Sequence, residues 1–213
     1  MHRTRIKICG ITNARDAALA IAAGADAVGV IFAPSPRQVT IEQAAAALAG
    51  IAPPVARVGV FVDPSLEEVR VAVAACALTA VQLSGHEAPA FCDALGIPML
   101  KTVHVGTDFG LEAAEPYRGH VAALLLDTLL ADKAGGTSQA FDWQRPGVLP
   151  GWAPSFVAGG LNPDNVAGCI DALHPYAVDV ASGVEASPGI KDPDKINAFC
   201  AAVRDADLKG LMR

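Results

Sequence analysis

Aromatic side chains are scarce in this chain, at 5% of its residues, and basic clusters, paired cysteines and long apolar runs are missing altogether. Each absence excludes a class of protein. No apolar run is long enough to cross a bilayer, so no membrane span is expected. The lack of any Lys/Arg run, with a formal net charge of −6, argues against a nucleic-acid partner. Cys9, Cys76, Cys92, Cys169 and Cys200 are odd in number, widely spaced and without a C-x-x-C pair. That excludes a disulfide frame or zinc site and fits the reduced thiols of a cytoplasmic protein. The charged start runs straight into the first apolar alternation, so no signal peptide is expected. What the chain does have is hydrophobic residues, 52% of it, and Ala, Val, Gly and Leu dominate its composition. Buried parallel strands covered by Ala-rich helices give that balance.

Eight strand-like runs can be read, at 5–9, 27–32, 56–62, 79–83, 98–104, 121–126 (ending in Asp127), 155–158 and 177–181. Helices are expected at 13–23, 41–49, 65–76, 87–95, 110–117, 163–173 and 193–206, with Thr12 or Asn13 capping the first and Asn162-Pro163 starting the sixth. The segment 131–154 reads mostly as loop. Eight βα units form either a closed barrel or an open doubly wound sheet. Polar residues inside strands favour the barrel: Lys7 lies between Ile6 and Ile8, Gln82 between Val81 and Leu83, Asp179 between Val178 and Val180. Alternate strand residues face opposite ways. The aliphatics can face the helices while the polar residues face a wet barrel mouth. The expected fold is one (β/α)8 TIM barrel domain over residues 1–213 with short loops.

In such a barrel the strand ends converge on one rim, where the chemistry sits. Read from the sequence, that rim carries Cys9, the loop 34–37 with Arg37, Asp63, Ser84, His104, Asp127, Gly159-Gly160 and Ser182-Gly183. Glycine turns after strands seven and eight expose backbone N–H groups, and a short helix after Gly183 would aim its N-terminus at an anion, together making a phosphate site. Cys9 ends a strand just before a helix N-terminus, which favours a thiolate. A free cysteine is most often a buried structural thiol, and position alone does not separate the two readings. Asp127 alone reads as a cap. Opposite a cysteine on the same rim it becomes half of an acid/base pair. Arg37, presented by Pro36, suits a substrate carboxylate. His104 reads equally as a base or as a solvent-facing strand end.

Eight fragments in order carry a resemblance. They are Lys7-Ile8-Cys9-Gly10-Ile11-Thr12, Gly29-Val30-Ile31-Phe32, Ser35-Pro36-Arg37, Val60-Phe61-Val62, Val81-Gln82-Leu83, Gly135-Gly136-Thr137 with Phe141-Asp142-Trp143, Ala158-Gly159-Gly160-Leu161-Asn162-Pro163, and Asp179-Val180-Ala181-Ser182-Gly183-Val184-Glu185. From first strand to last, the chain resembles the phosphoribosylanthranilate isomerase family of tryptophan biosynthesis. The resemblance implies an Amadori rearrangement of N-(5-phosphoribosyl)anthranilate, a small phosphosugar substrate, with no metal or redox cofactor. It implies Cys9 as general base and Asp127 as general acid. Arg37 would hold the anthranilate carboxylate, Gly159, Gly160, Ser182 and Gly183 the phosphate, and Asp179 the sugar. Three positions depart from the pattern, His86 among them where the family has Asp or Glu, and the loop before Ser35 is a residue short. Ser84 replaces a His, so a polar contact at the end of the fourth strand is expected to be lost, and Ser138 replaces a Gly in a loop expected to close over substrate.

That chemistry asks for pKa values pushed towards each other. A free thiol titrates near ~8.5, and Lys7 with the helix N-terminus would pull Cys9 down. Asp127 must hold a proton near neutrality, so burial or a neighbouring anion must push it up. The rivals are an aminoaldose isomerase with paired aspartates, a metal-dependent epimerase drawing on Asp63, His104 and Asp179, a Schiff-base aldolase on Lys7 or Lys101, and a non-catalytic phosphate-ligand binder. The sequence leaves monomer and homodimer both open.

Overall fold

The structure, a computed structural model, describes residues 3–105, 112–127 and 149–211. Eight parallel strands close into a barrel in sequence order: β1 (Arg5–Ile8), β2 (Ala27–Ile31), β3 (Ala56–Phe61), β4 (Ala80–Leu83), β5 (Met99–His104), β6 (Ala123–Asp127), β7 (Ser155–Ala158) and β8 (Ala177–Val180). Closure is direct, with Lys7 of β1 in register with Asp179 of β8 and Ile8 with Val180. Helices α1 (Ala14–Ala23), α2 (Ile41–Leu48), α3 (Leu66–Cys76), α4 (Pro89–Asp93), α5 (Val166–Leu173) and α6 (Pro193–Leu211) follow their strands.

Local chemistry explains the element ends. Asn13 caps α1, its side chain accepting from the Asp16 N–H, while Gly24 closes the helix in the left-handed region at φ 102°. Thr40 with Gln43, and Ser65 with Glu68, form capping boxes at α2 and α3. The expected helix at 163–173 starts only at Val166. Asn162 first builds a turn, its Oδ1 accepting from the Asp164 and Asn165 N–H groups at 2.8 and 3.1 Å, and such side-chain bonds compete with helix. The 110–117 helix is 3-10 over Glu112–Tyr117, with Pro116 inside it. The last helix runs on past 206, to Leu211.

Ile6, Ile8, Val28, Val30, Val178 and Val180 face the helices in the main core. A separate apolar group of Ala27, Val58, Ala80, Leu100 and Ala123 fills the barrel interior towards the strand starts. Above that floor the interior turns polar. Lys7 donates to Gln82 Oε1 at 2.9 Å and Asp179 Oδ2 at 3.0 Å. The inward placement of these three residues is as expected, but not their hydration: Lys7 is fully buried and the other two nearly so. Pairing, not water, keeps them there.

One element was not legible at all. After β8 a 3-10 turn spans only Ser182–Val184, then a hairpin of β9 (Glu185–Ser187) and β10 (Ile190–Lys191) intervenes before α6. No anion-directed helix follows Gly183. The hairpin is tied back to the first βα loop by Thr12 Oγ1 donating to Gly189 O at 2.7 Å, and to the first turn of α1 by the Lys191 N–H donating to Asp16 Oδ2 at 2.8 Å.

Candidate active site

The strands are parallel and closed, so their carboxyl ends form a single rim. Cys9 stands directly after β1, its N–H donating to Val180 O at 2.8 Å. Asp127, half-buried, is the last residue of β6. Arg37 lies in the loop after β2, Gly159-Gly160 after β7 and Ser182-Gly183 after β8, with Asp179 inside β8. All eight site residues expected from sequence thus come to one end of the barrel. His104, exposed, ends β5 in register with Asp127. Gly135-Gly136-Thr137, Ser138 and Phe141-Asp142-Trp143 lie outside the described residues.

Glycines make the crowding around Cys9 possible. A Cβ on Gly29 of β2 would lie 2.8 Å from Cys9 Sγ and 3.3 Å from Lys7 Nζ. Thiol and ammonium therefore press against the same bare backbone. At Gly10, φ is 73° and a Cβ would lie 2.6 Å from Arg37 Cδ, so the arginine stem crosses where only glycine fits.

The electrostatics of the thiol differ from expectation. Burial pushes Cys9 above its ordinary value, and the Lys7 ammonium does not fully offset it; the Asp179 carboxylate adds to the rise. Burial would lower Lys7, but Asp179 and Cys9 outweigh it and hold the ammonium charged.

Arg37 is also not a free fork. Its Nε and Nη2 donate to Glu185 Oε1 and Oε2, both at 2.7 Å. Lys191 Nζ donates to the same Glu185 Oε1 at 3.0 Å and to Ala181 O at 2.9 Å. Glu185 is held below the ordinary carboxylate range: burial opposes that shift, and the Arg37 and Lys191 bonds overcome it. Glu185 ends the last recognised fragment, yet nothing in the sequence marks its partners. Lys191 was missed because its short hairpin reads as a turn.

The glycine turns are real. Gly159 and Gly160 have φ 95° and 68°. A Cβ on Gly183 would collide with the Leu161 carbonyl, so the loops after β7 and β8 pack backbone to backbone. Asn165 Nδ2 donates to Gly160 O at 2.9 Å and fixes that turn to the start of α5. Ser84 keeps a polar contact at the end of β4, its Oγ 2.8 Å from Thr102 Oγ1 and 3.2 Å from Gln82 Nε2. Of the rivals' lysines, Lys101 is buried against Glu87 at 2.8 Å and the Gly85 carbonyl at 2.6 Å. Among the described residues no group of three or more His, Cys, Asp or Glu is placed to hold a metal ion, and no helix is long and apolar enough to cross a membrane.

Known proteins resemble this chain in sequence and in fold. The family model for N-(5'phosphoribosyl)anthranilate (PRA) isomerase matches residues 6–202. An N-(5'-phosphoribosyl)anthranilate isomerase of Pseudomonas fluorescens is 45% identical over 206 residues, covering 96% of this chain and 97% of its own. The crystal structure of phosphoribosyl anthranilate isomerase from Thermotoga maritima superposes with a TM-score of 0.87 at 40% identity, over 95% of this chain and 99% of that one. Another crystal structure of the enzyme, in complex with reduced 1-(o-carboxyphenylamino)-1-deoxyribulose 5-phosphate, matches at TM-score 0.83 and 39% identity over the same shares. With the family model and these relatives matching over nearly its whole length, this chain belongs to the N-(5'-phosphoribosyl)anthranilate isomerase family.

Proposed function

We propose that Cys9 and Asp127 divide the acid/base work of this isomerase. The chain is an aldose–ketose isomerase of tryptophan biosynthesis. It converts N-(5-phosphoribosyl)anthranilate to 1-(2-carboxyphenylamino)-1-deoxyribulose 5-phosphate. Asp127 protonates the ring oxygen as the anilino nitrogen pushes its electron pair into the C1–N bond, opening the furanose to a Schiff base. Cys9, as thiolate, then removes the C2 proton, and the resulting enaminol tautomerises to the aminoketose. Lys7 and Lys191 are the cations that lower the Cys9 thiol against its burial. The glycine turns Gly159-Gly160 and Ser182-Gly183 hold the phosphate, Arg37 the anthranilate carboxylate, and Asp179 a sugar hydroxyl. Supporting the last, Asp179 Oδ1 is buried without a hydrogen-bond partner among the described residues. The whole reaction is assigned to one barrel domain, residues 1–213. The five cysteines are all free thiols, which suits the cytoplasm.

One observation carries the reading: the closed parallel register sets a thiol at the end of β1 and a carboxyl at the end of β6 on the same rim. General acid catalysis contributes about 10²–10⁴-fold. Asp127→Asn is therefore expected to lower kcat by at least about a hundredfold, followed as loss of phosphoribosylanthranilate fluorescence. Turnover within a fewfold of wild type would remove Asp127 from its role.

A further inference from the structure

Lys191 is a buried cation that the acid/base chemistry does not need in contact with substrate. Its side chain is 0% exposed, and its Nζ lies 3.0 Å from Glu185 Oε1. A charge so deeply buried requires an opposite partner. Glu185 is that partner, yet Glu185 is already gripped through both oxygens by Arg37. One carboxylate therefore faces two cations, and the trio keeps a single positive charge. Asp16 and Lys195 flank the trio through backbone atoms, Asp16 on the Lys191 N–H and Lys195 on the Glu185 carbonyl, and their charges oppose each other. Exposure decides where the excess is felt. The Arg37 side chain is 20% exposed, against 5% for Glu185. Arg37 is the only member of the trio whose side chain solvent or a ligand reaches to any extent.

We infer that Lys191 is a specificity-determining residue of the Arg37 anchor: by offsetting Glu185 it keeps the guanidinium net cationic towards an aromatic carboxylate. Glu185 alone would fix the fork in place but cancel its charge, and a neutral pair attracts an anion weakly. With Lys191 behind it, the same carboxylate orients Arg37 without neutralising the site. The hydrogen bond from Lys191 to Ala181 O ties this charge to the loop carrying Ser182 and Gly183. Both anionic ends of the substrate would thus be met by one connected wall. The inference rests on the assignment of the carboxylate to Arg37.

The test uses two substrates, phosphoribosylanthranilate and the anilino analogue lacking the carboxylate, with turnover of both followed by chromatography. Lys191→Met is expected to raise KM for the carboxylated substrate about tenfold, leaving KM for the analogue close to wild type, while kcat falls by the same factor for both as the Cys9 thiol loses a neighbouring cation. Adding Glu185→Gln to Lys191→Met restores the single positive charge and is expected to recover most of the loss. An ion pair that is merely structural predicts the reverse, with KM of the double variant no better than that of the single one and KM for both substrates raised alike. Either outcome overturns the inference. Should Lys191→Met fail to fold, Lys191→Gln decides, since its amide can still donate to Glu185 but carries no charge: KM for the carboxylated substrate alone is expected to rise, and an unchanged KM sinks the idea. Arg37→Met separates the two levels. If it harms both substrates equally, the carboxylate assignment itself falls; if it discriminates while Lys191→Met does not, only the role of Lys191 falls.

Discussion

Two buried lysine–glutamate pairs stand on different sides of the rim, and they are built for different ends. Lys101 meets Glu87 at 2.8 Å and Lys191 meets Glu185 at 3.0 Å, with all four side chains 5% exposed or less. Around the first pair the remaining hydrogen-bond partners among the described residues are backbone groups, and the Tyr117 ring covers Lys101 Nζ at 5.5 Å from its centroid. Lys101 Nζ also donates to Leu83 O and Gly85 O, and Glu87 accepts from the N–H groups of Asp63 and Gly85. The charges cancel and the hydrogen bonds close on themselves, clamping the loops after β3 and β4. Around the second pair a third charge, Arg37, reaches the surface. A saturated neutral pair is scaffold, whereas a pair with one cation to spare is an anchor. The same residue types at similar burial thus serve stability in one place and recognition in the other.

That contrast can be broken by mutation. Lys101→Met strands the Glu87 carboxylate in a dry site and is expected to cost about 3–5 kcal/mol of stability. Denaturant unfolding measures this, while KM of the folded fraction should not move; a KM change with little loss of stability would reverse the scaffold assignment. On the other side, Arg37→Met is expected to act on KM for the carboxylated substrate, by about tenfold, with a smaller effect on unfolding. Acid titration sharpens the difference. Glu185 is held below its ordinary value of 4.5 in the folded protein. Its ion pairs therefore contribute stability that is fully present above about 4.5 and lost as pH falls through the lower folded value. Glu185→Gln should flatten that acid limb in pH-dependent unfolding; an unchanged limb would mean the carboxylate is not held there. The smallest effect is expected away from both pairs, at Asn13→Ala, which removes the α1 cap for about 1 kcal/mol and shows as a lowered Tm with unchanged kinetics.

Much of this was legible in the sequence, for identifiable reasons. Ile6-Lys7-Ile8 and Val178-Asp179-Val180 alternate sharply enough to give both the strand and its inward face, and the structure keeps both. The Thr12-Asn13 cap signal announced the first helix, and Asn13 is the residue that caps it. The rim residues followed from strand order alone. Burial did not. Nothing local tells that Lys7 sits dry, or that Cys9 is pushed up more by lost solvent than it is pulled down by its cations. Glu185 was opaque because Arg37 lies 148 positions away. Lys191 was opaque because strands of two and three residues around Pro188-Gly189 carry too little periodicity to be seen.

The most direct measurement is turnover of Cys9→Ala at saturating phosphoribosylanthranilate, followed by its fluorescence. Loss of the base should lower kcat by about 10²–10⁴-fold with substrate affinity nearly unchanged. A variant turning over within a fewfold of wild type would contradict the assignment of Cys9 as the group that takes the C2 proton.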